Sequence, residues 1–219
     1  MINTLRFTSL ACGLTVATVA TAEEGGGLAF GHAVPYVWME VEGQAQRVGP
    51  GGVPGAVFRQ SDSASGVGDL TIHPFMLGWT DVAPDVKLDT RVAIDAPTGD
   101  YEVGRLANVG KNYWTFEPGI MAGWLSSSIG TEVSLFAGLD VNTANEVPDY
   151  QSGKSLHFDG SIAQHLPLCG GVIGVGANAF YYEQIRGDSG SGARLGDFEG
   201  RTAGIGPVLS YVHKLVRRE

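Results

Sequence analysis

Hydrophobic and polar residues alternate with a period of two through most of the chain. Val86, Leu88, Thr90, Val92, Ile94 and Ala96 fall on one parity, against Asp85, Lys87, Asp89, Arg91 and Asp95 on the other. Successive side chains of a strand point to opposite faces, so this spacing predicts a β-strand with one apolar and one charged side. A long loop rich in Gly, Asn and Asp follows, DAPTGDYEVGRLANVGKNYW from Asp95 to Trp114. Beyond it Trp114, Phe116, Pro118, Ile120, Ala122 and Trp124 share a face opposite Tyr113, Thr115, Glu117, Gly119, Met121 and Gly123. A long-looped, two-faced hairpin is therefore the repeating unit of the chain.

The same reading extends in both directions. Val37, Met39 and Val41 alternate with Tyr36, Trp38, Glu40 and Glu42, and Gly43 to Gly66, rich in Gly, Pro, Gln and Ser, is predicted as a loop. Leu70, Ile72, Pro74 and Met76 oppose Asp69, Thr71, His73 and Phe75. Further on, Val133, Leu135, Ala137, Leu139 and Val141 oppose Glu132, Ser134, Asp140 and Asn142. Leu156, Phe158 and Ile162 oppose Ser155, His157, Asp159, Ser161 and His165. Two last strands carry Ile173, Val175, Ala177, Ala179 and Tyr181, then Ala203, Ile205, Pro207, Leu209 and Tyr211. Connections alternate short and long. Strands of roughly 10 to 13 residues exceed those of most soluble sheets and suit a tilted bilayer crossing.

Residues 1–22 stand apart. Arg6 precedes an apolar run, Phe7 to Ala20, that ends in Ala20-Thr21-Ala22, the form of an export signal peptide with a small-residue cleavage site. That predicts a leader, 1–22, ahead of a mature domain, 23–219, which the strand pattern leads us to expect as an outer-membrane β-barrel of a Gram-negative bacterium. Removing the leader takes away one positive charge, Arg6, and moves the formal net charge from −9 to −10. Such an acidic chain is no partner for nucleic acid. Cys12 lies in the leader without a lipidation sequence, and Cys169 alone remains, which leaves no internal disulfide and no cysteine metal site.

These observations predict an all-β, up-and-down antiparallel transmembrane β-barrel, with about eight strands visible. Trp114 and Trp124 add a length check. Ten residues at ~3.3 Å each, tilted by ~40°, separate them by about 25 Å along the membrane normal, the height of the apolar band between aromatic girdles. A soluble sandwich or lipocalin-like barrel shares the alternation but turns its apolar face inward. Leader, strand length and loop asymmetry favour the membrane version, in which Trp114, Trp124, Tyr181 and Tyr211 form the girdle. Asp69, His73, Lys87, Asp89, Arg91, Glu117, Glu132, Asp140, His157 and Asp159 then line the lumen, where Lys87 and Arg91 are expected to pair with carboxylates across strands.

Dedicated chemistry is thinly represented. Gly104 to Asn112, GRLANVGKN, has five residues between its glycines where a phosphate loop has four, and Asn112 stands where Ser or Thr would bind magnesium. His157, Asp159 and Ser161 share a parity and hold the residue types of a hydrolytic set, but a row along one strand need not converge, and a polar lining is the commoner outcome. Asp188 to Gly200, DSGSGARLGDFEG, has the composition of a calcium loop without its spacing and reads as a mobile outer loop. No catalytic, cofactor-binding or metal-ligating residue is assigned, no cofactor is expected, and the chain is not read as an enzyme.

The stretch APTGDYEVGRLANVGKNYWTFEP, with GVGDLTIHPFMLGW before it and YQSGKSLHFDG and GRTAGIGP after it, closely resembles the outer-membrane proteins of the phenol meta-degradation (SphA-like) group. The likeness spans roughly Val34 to Tyr211. It implies an outer-membrane barrel credited with passing aromatic or hydrophobic compounds to degradation, with lipid and small aromatic solutes as partners and no catalytic residues to carry over. A structural or adhesion-like barrel without transport is the alternative. Family members usually carry additional strands at both ends, and this chain closes on HKLVRRE without a terminal aromatic residue, so the resemblance implies either a shortened version closing on about eight strands or a fragment with open edges. A barrel of only eight strands has an interior just filled by side chains.

Overall fold

A computed structural model describes residues 2–23, 25–48, 51, 53–193 and 196–213; the terminal residues 214–219, including most of HKLVRRE, lie outside the described residues. Ten strands form one antiparallel sheet: β1 (Ile2–Glu23), β2 (Gly26–Val48), β3 (Pro54–Val67), β4 (Leu70–Ala83), β5 (Val86–Ala96), β6 (Thr115–Leu125), β7 (Thr131–Asn142), β8 (Ser155–Leu168), β9 (Gly171–Gln184) and β10 (Arg201–His213). Their order is β1-β2-β4-β5-β6-β7-β8-β9-β10, with β3 also on β2. β4 pairs β2 and β5, and from β5 onward each strand pairs with its sequence neighbours, the up-and-down meander expected from the alternation. Among the described residues β1 and β10 each pair on one side, so the sheet is open. No helix among the described residues is long and apolar enough to cross a membrane, which bears on helices alone.

Short and long connections alternate from β4 on, with long loops over 97–114, 143–154 and 185–200. At the β8–β9 turn both Cys169 (φ 46°) and Gly170 (φ 76°) are left-handed, the backbone a two-residue hairpin of matching twist requires. At the β4–β5 turn Asp85 is also left-handed (φ 63°), and its carboxylate accepts the Ser127 amide of the next short turn at 3.1 Å. Short turns of this kind fix register, and β5 pairs β6 without interruption from Val86↔Trp124 to Asp95↔Thr115.

Three features differ from the expectation. Ten strands replace about eight. Where composition predicts a loop over Gly43 to Gly66, β2 runs on to Val48 and β3 pairs back along it from Val48↔Pro54 to Tyr36↔Val67. The first half of β2 bonds β4, so its remaining edge would otherwise leave a row of unpaired amides and carbonyls; pairing overrides the weak strand propensity of a Gly- and Ser-rich segment. Residues 2–23, read as a leader, lie along β2 from Ile2↔Ala45 to Glu23↔Gly26 in the uncleaved chain. Removal of a leader is a processing step on which this pairing has no bearing.

The third difference is in β4. Its register shifts between Ile72 and Phe75, so Phe75, Leu77 and Trp79 lie on the exposed side while Pro74 and Met76 turn away from it, the reverse of simple alternation. Pro74 has no amide to donate, and a bulge at that point accommodates it. The parity is plainest on the central strand β6. On β6 every other residue from Phe116 to Trp124 is exposed and the intervening Glu117, Gly119, Met121 and Gly123 are half-buried. Trp114 (45 %), Ile120 (56 %) and Trp124 (38 %) are all open, as is Ile205 on β10 (82 %). Apolar side chains on the exposed face and ionic ones on the occluded face invert the arrangement of a soluble protein.

Candidate functional site: the polar face and its mouth

The loop 97–114 folds against the β2–β3 hairpin. Asp62 on β3 receives the amides of Leu106 (3.1 Å) and Ala107 (3.0 Å) and the Arg105 guanidinium (3.2 Å). The Ala107 amide and then the Arg105 side chain hold its carboxyl down at about 2, because each hydrogen bond favours the ionised form. Ala107 is fully buried and Val41 nearly so. At the waist of the loop two backbones cross at Gly99 and Gly110, where a Cβ on Gly99 would lie 2.8 Å from the Gly110 Cα. Only glycine fits there.

A belt of hydrogen bonds continues from this loop across the strand ends. Asp69 accepts the Gly99 amide (2.9 Å) and the Lys111 amide (2.8 Å). The Lys111 ammonium donates to Asp95 (2.7 Å) and Thr115 (3.0 Å), and the Thr115 hydroxyl donates to Asn142 (2.8 Å). Burial pulls the Lys111 ammonium down, but the charge and hydrogen bond of Asp95 outweigh it and the net shift is upward. Asn142 donates to the Gly153 carbonyl (3.1 Å), and the Gly153 amide donates to Asp188 (3.1 Å). Asp188 also accepts from Gln184 (2.5 Å) and from the Tyr150 hydroxyl (2.8 Å), whose pKa is raised by burial and then by that bond. Asn112 donates to Asn145, which is 1 % exposed. Asp188, at the head of the segment read as a mobile outer loop, is thus an anchor of that loop, with both carboxylate oxygens engaged.

Below the belt the polar face carries a row of π systems. The Arg91 guanidinium lies 5.5 Å from the Phe136 ring centroid, Phe136 lies 5.5 Å from the His157 ring, and His157 lies 6.2 Å from Tyr182. These four sit on β5, β7, β8 and β9, and the register places them: His157 is opposite Gly138 on β7 and Tyr182 on β9. Glycine makes room, since a Cβ on Gly138 would overlap His157 Nε2 and one on Gly119 would overlap the Phe136 ring. Glu117 and Asp140 flank the histidine, at 3.5 and 3.8 Å from Nε2. A wider recess of about 380 Å³ opens toward the short-turn end, between Gly27, Met76, Asp89, Arg91 and Met121.

The structure brings some of the predicted lumen residues together and separates others. Glu117, Asp140, His157 and Asp159 form one cluster. Asp89 and Arg91 pair along their own strand through two hydrogen bonds of 2.8 and 2.7 Å, instead of across strands as expected. Lys87 is exposed and pairs with no carboxylate among the described residues. Glu132 pairs with His165 at 2.5 Å, near the short turns. Asp69 is buried in the belt, and His73 sits at the β4 bulge with its Nδ1 buried and without a hydrogen bond. Of the girdle, Trp114 and Tyr181 stand at the long-loop end and Trp124 and Tyr211 at the short-turn end, all exposed. Trp79 joins the latter pair, its side reversed by the bulge.

The hydrolytic set does not assemble. Asp159 approaches His157 Nδ1 at 3.1 Å, but the Ser161 hydroxyl is bonded to Ser134 across the strand pair at 2.7 Å. Phe136, Tyr182 and Lys111 were hidden from alternation alone. Phe136 is an apolar residue on a polar parity, and only its position two strands from Arg91 identifies it. Register arithmetic from the short turn at 126–130, which sets Gly119 against Gly138, was the available route to the Glu117–Asp140 contact.

Neither a curated protein nor a solved structure matches the chain. A family model described as "Putative MetA-pathway of phenol degradation" matches residues 5–214. With nearly all of its 219 residues covered, the chain belongs to that phenol-degradation family.

Proposed function

We propose that this protein is an outer-membrane barrel that takes up or passes aromatic and other hydrophobic compounds toward degradation, exported by a leader over residues 1–22 and seated in outer-membrane lipid. The observation that carries the reading is the row Arg91, Phe136, His157 and Tyr182, π faces spaced 5.5 to 6.2 Å apart on the polar side of a sheet whose other side is apolar and exposed. A planar aromatic solute exchanges one stacking partner for the next along such a row, at a cost of about 1 kcal/mol per contact broken and remade. Membership of the phenol-degradation family supports the same solute class.

Uptake of radiolabelled phenol by cells with and without the gene tests the proposal. Faster uptake with the gene, reduced severalfold by Phe136→Ala with Tyr182→Ala, is the expected result. Equal uptake overturns it and moves support to a structural or adhesion-like barrel without transport, which the tied loops of the mouth would suit.

A further inference from the structure

The sequence assigns no metal ligand to this chain, yet three adjacent strands bring together a set of donors that suits one. We propose that Glu117 on β6, Asp140 on β7 and His157 on β8 form a binding site for a divalent cation of the zinc type. One donor atom from each lies within 4.8 Å of the others. The separations from His157 Nε2, 3.5 Å to Glu117 Oε2 and 3.8 Å to Asp140 Oδ1, are close to the spacing a metal imposes. Two ligands at ~2.0–2.1 Å from a tetrahedral ion stand about 3.3–3.5 Å apart.

The alternative, a protonated histidine bridging two carboxylates, fits less well. Nε2–H would face both oxygens from beyond good hydrogen-bond range, while Nδ1 is engaged by Asp159 Oδ2 at 3.1 Å. That contact is the outer carboxylate commonly found behind a metal-bound imidazole: it holds the proton on Nδ1 and leaves the Nε2 lone pair turned toward Glu117 and Asp140. Gly138 lets the ring lie flat enough to do so. Charge points the same way. Among the described residues neither Glu117 nor Asp140 pairs with a lysine or arginine; Arg91 is taken by Asp89 and Lys111 by Asp95. Half-buried carboxylates without a cation are costly, and a divalent ion supplies one. One imidazole and two carboxylates are a borderline-to-hard set, suited to Zn²⁺ and neighbouring transition ions more than to Ca²⁺. The site does not depend on transport.

Titration calorimetry of the purified full chain in detergent micelles with ZnCl₂ tests it, with X-ray absorption on the loaded protein. One Zn²⁺ per chain is expected, with one imidazole in its shell. His157→Ala and the near-isosteric Glu117→Gln and Asp140→Asn weaken binding at least tenfold, Asp159→Asn by roughly tenfold, and His165→Ala, at the separate Glu132 pair, leaves it unchanged. Circular dichroism and micelle elution confirm that each variant keeps its sheet. No binding by the wild type up to about 1 mM Zn²⁺, or equal affinity in Glu117→Gln and Asp140→Asn, overturns the proposal.

Discussion

Replacing Gly110 by alanine would open the mouth of the sheet without touching its strands. The new Cβ would stand 2.5 Å from the Gly99 carbonyl carbon and 2.9 Å from its Cα, against an ordinary contact of 3.4 Å or more. The obstructing atoms are backbone, so no side chain can swing aside, and the two crossing segments must separate by about 1 Å. That movement stretches the Gly99 and Lys111 amides away from Asp69, which now accept bonds of 2.9 and 2.8 Å on a carboxylate only 7 % exposed. Weakening two bonds to a charged, buried acceptor costs about 2–4 kcal/mol of local opening free energy. Hydrogen exchange at Gly99, Gly110 and Lys111, measured in micelles, should therefore accelerate roughly 30- to 800-fold. Gly123→Ala, where the added atom meets nothing within 4 Å, serves as control and leaves these amides unchanged. Exchange in Gly110→Ala within twofold of the wild type would refute the account of the crossing.

Two further outcomes follow from the same geometry. The carboxyl of Asp62 is depressed to about 2 from an ordinary 3.8, so its contribution to loop anchoring is full above the ordinary value and fades as pH falls through about 2. Exchange at the Leu106 and Ala107 amides, corrected for intrinsic rate, should stay slow at pH 4 and lose protection near pH 2, and Asp62→Asn should abolish that protection at every pH. Ile120→Lys, at the middle of the exposed face of β6, should destabilise the protein in lipid vesicles by about 2–4 kcal/mol in a urea titration, while Ser134→Lys on the polar face costs much less.

Much of the architecture was legible because β5 to β10 alternate over most of their length and their short turns fix the register. Two places broke that logic. At Pro74 a missing amide forces a bulge, and one extra residue turns Phe75, Leu77 and Trp79 to the opposite side from the one alternation gives them. At Pro54–Val67 local composition argues for a loop, but the free edge of β2 supplies partners that composition cannot reveal. The chemistry of the polar face was less legible for a related reason. Glu117, Asp140 and His157 are far apart in sequence and meet only through the registers of two successive hairpins, whereas His157, Asp159 and Ser161, adjacent on one strand, attract attention and do not assemble. The belt through Asp69, Asn142 and Asp188 joins three loops, and no periodic pattern connects loops.

The claim on which the rest stands is that the apolar parity meets hydrocarbon. In a background with Cys12 and Cys169 replaced by serine, single cysteines placed in turn from Gly119 to Trp124 can carry a fluorophore in vesicles of brominated lipid. Strong quenching at 120, 122 and 124 with weak quenching at 119, 121 and 123 is the predicted result. Uniform quenching along β6, or the opposite alternation, would contradict it.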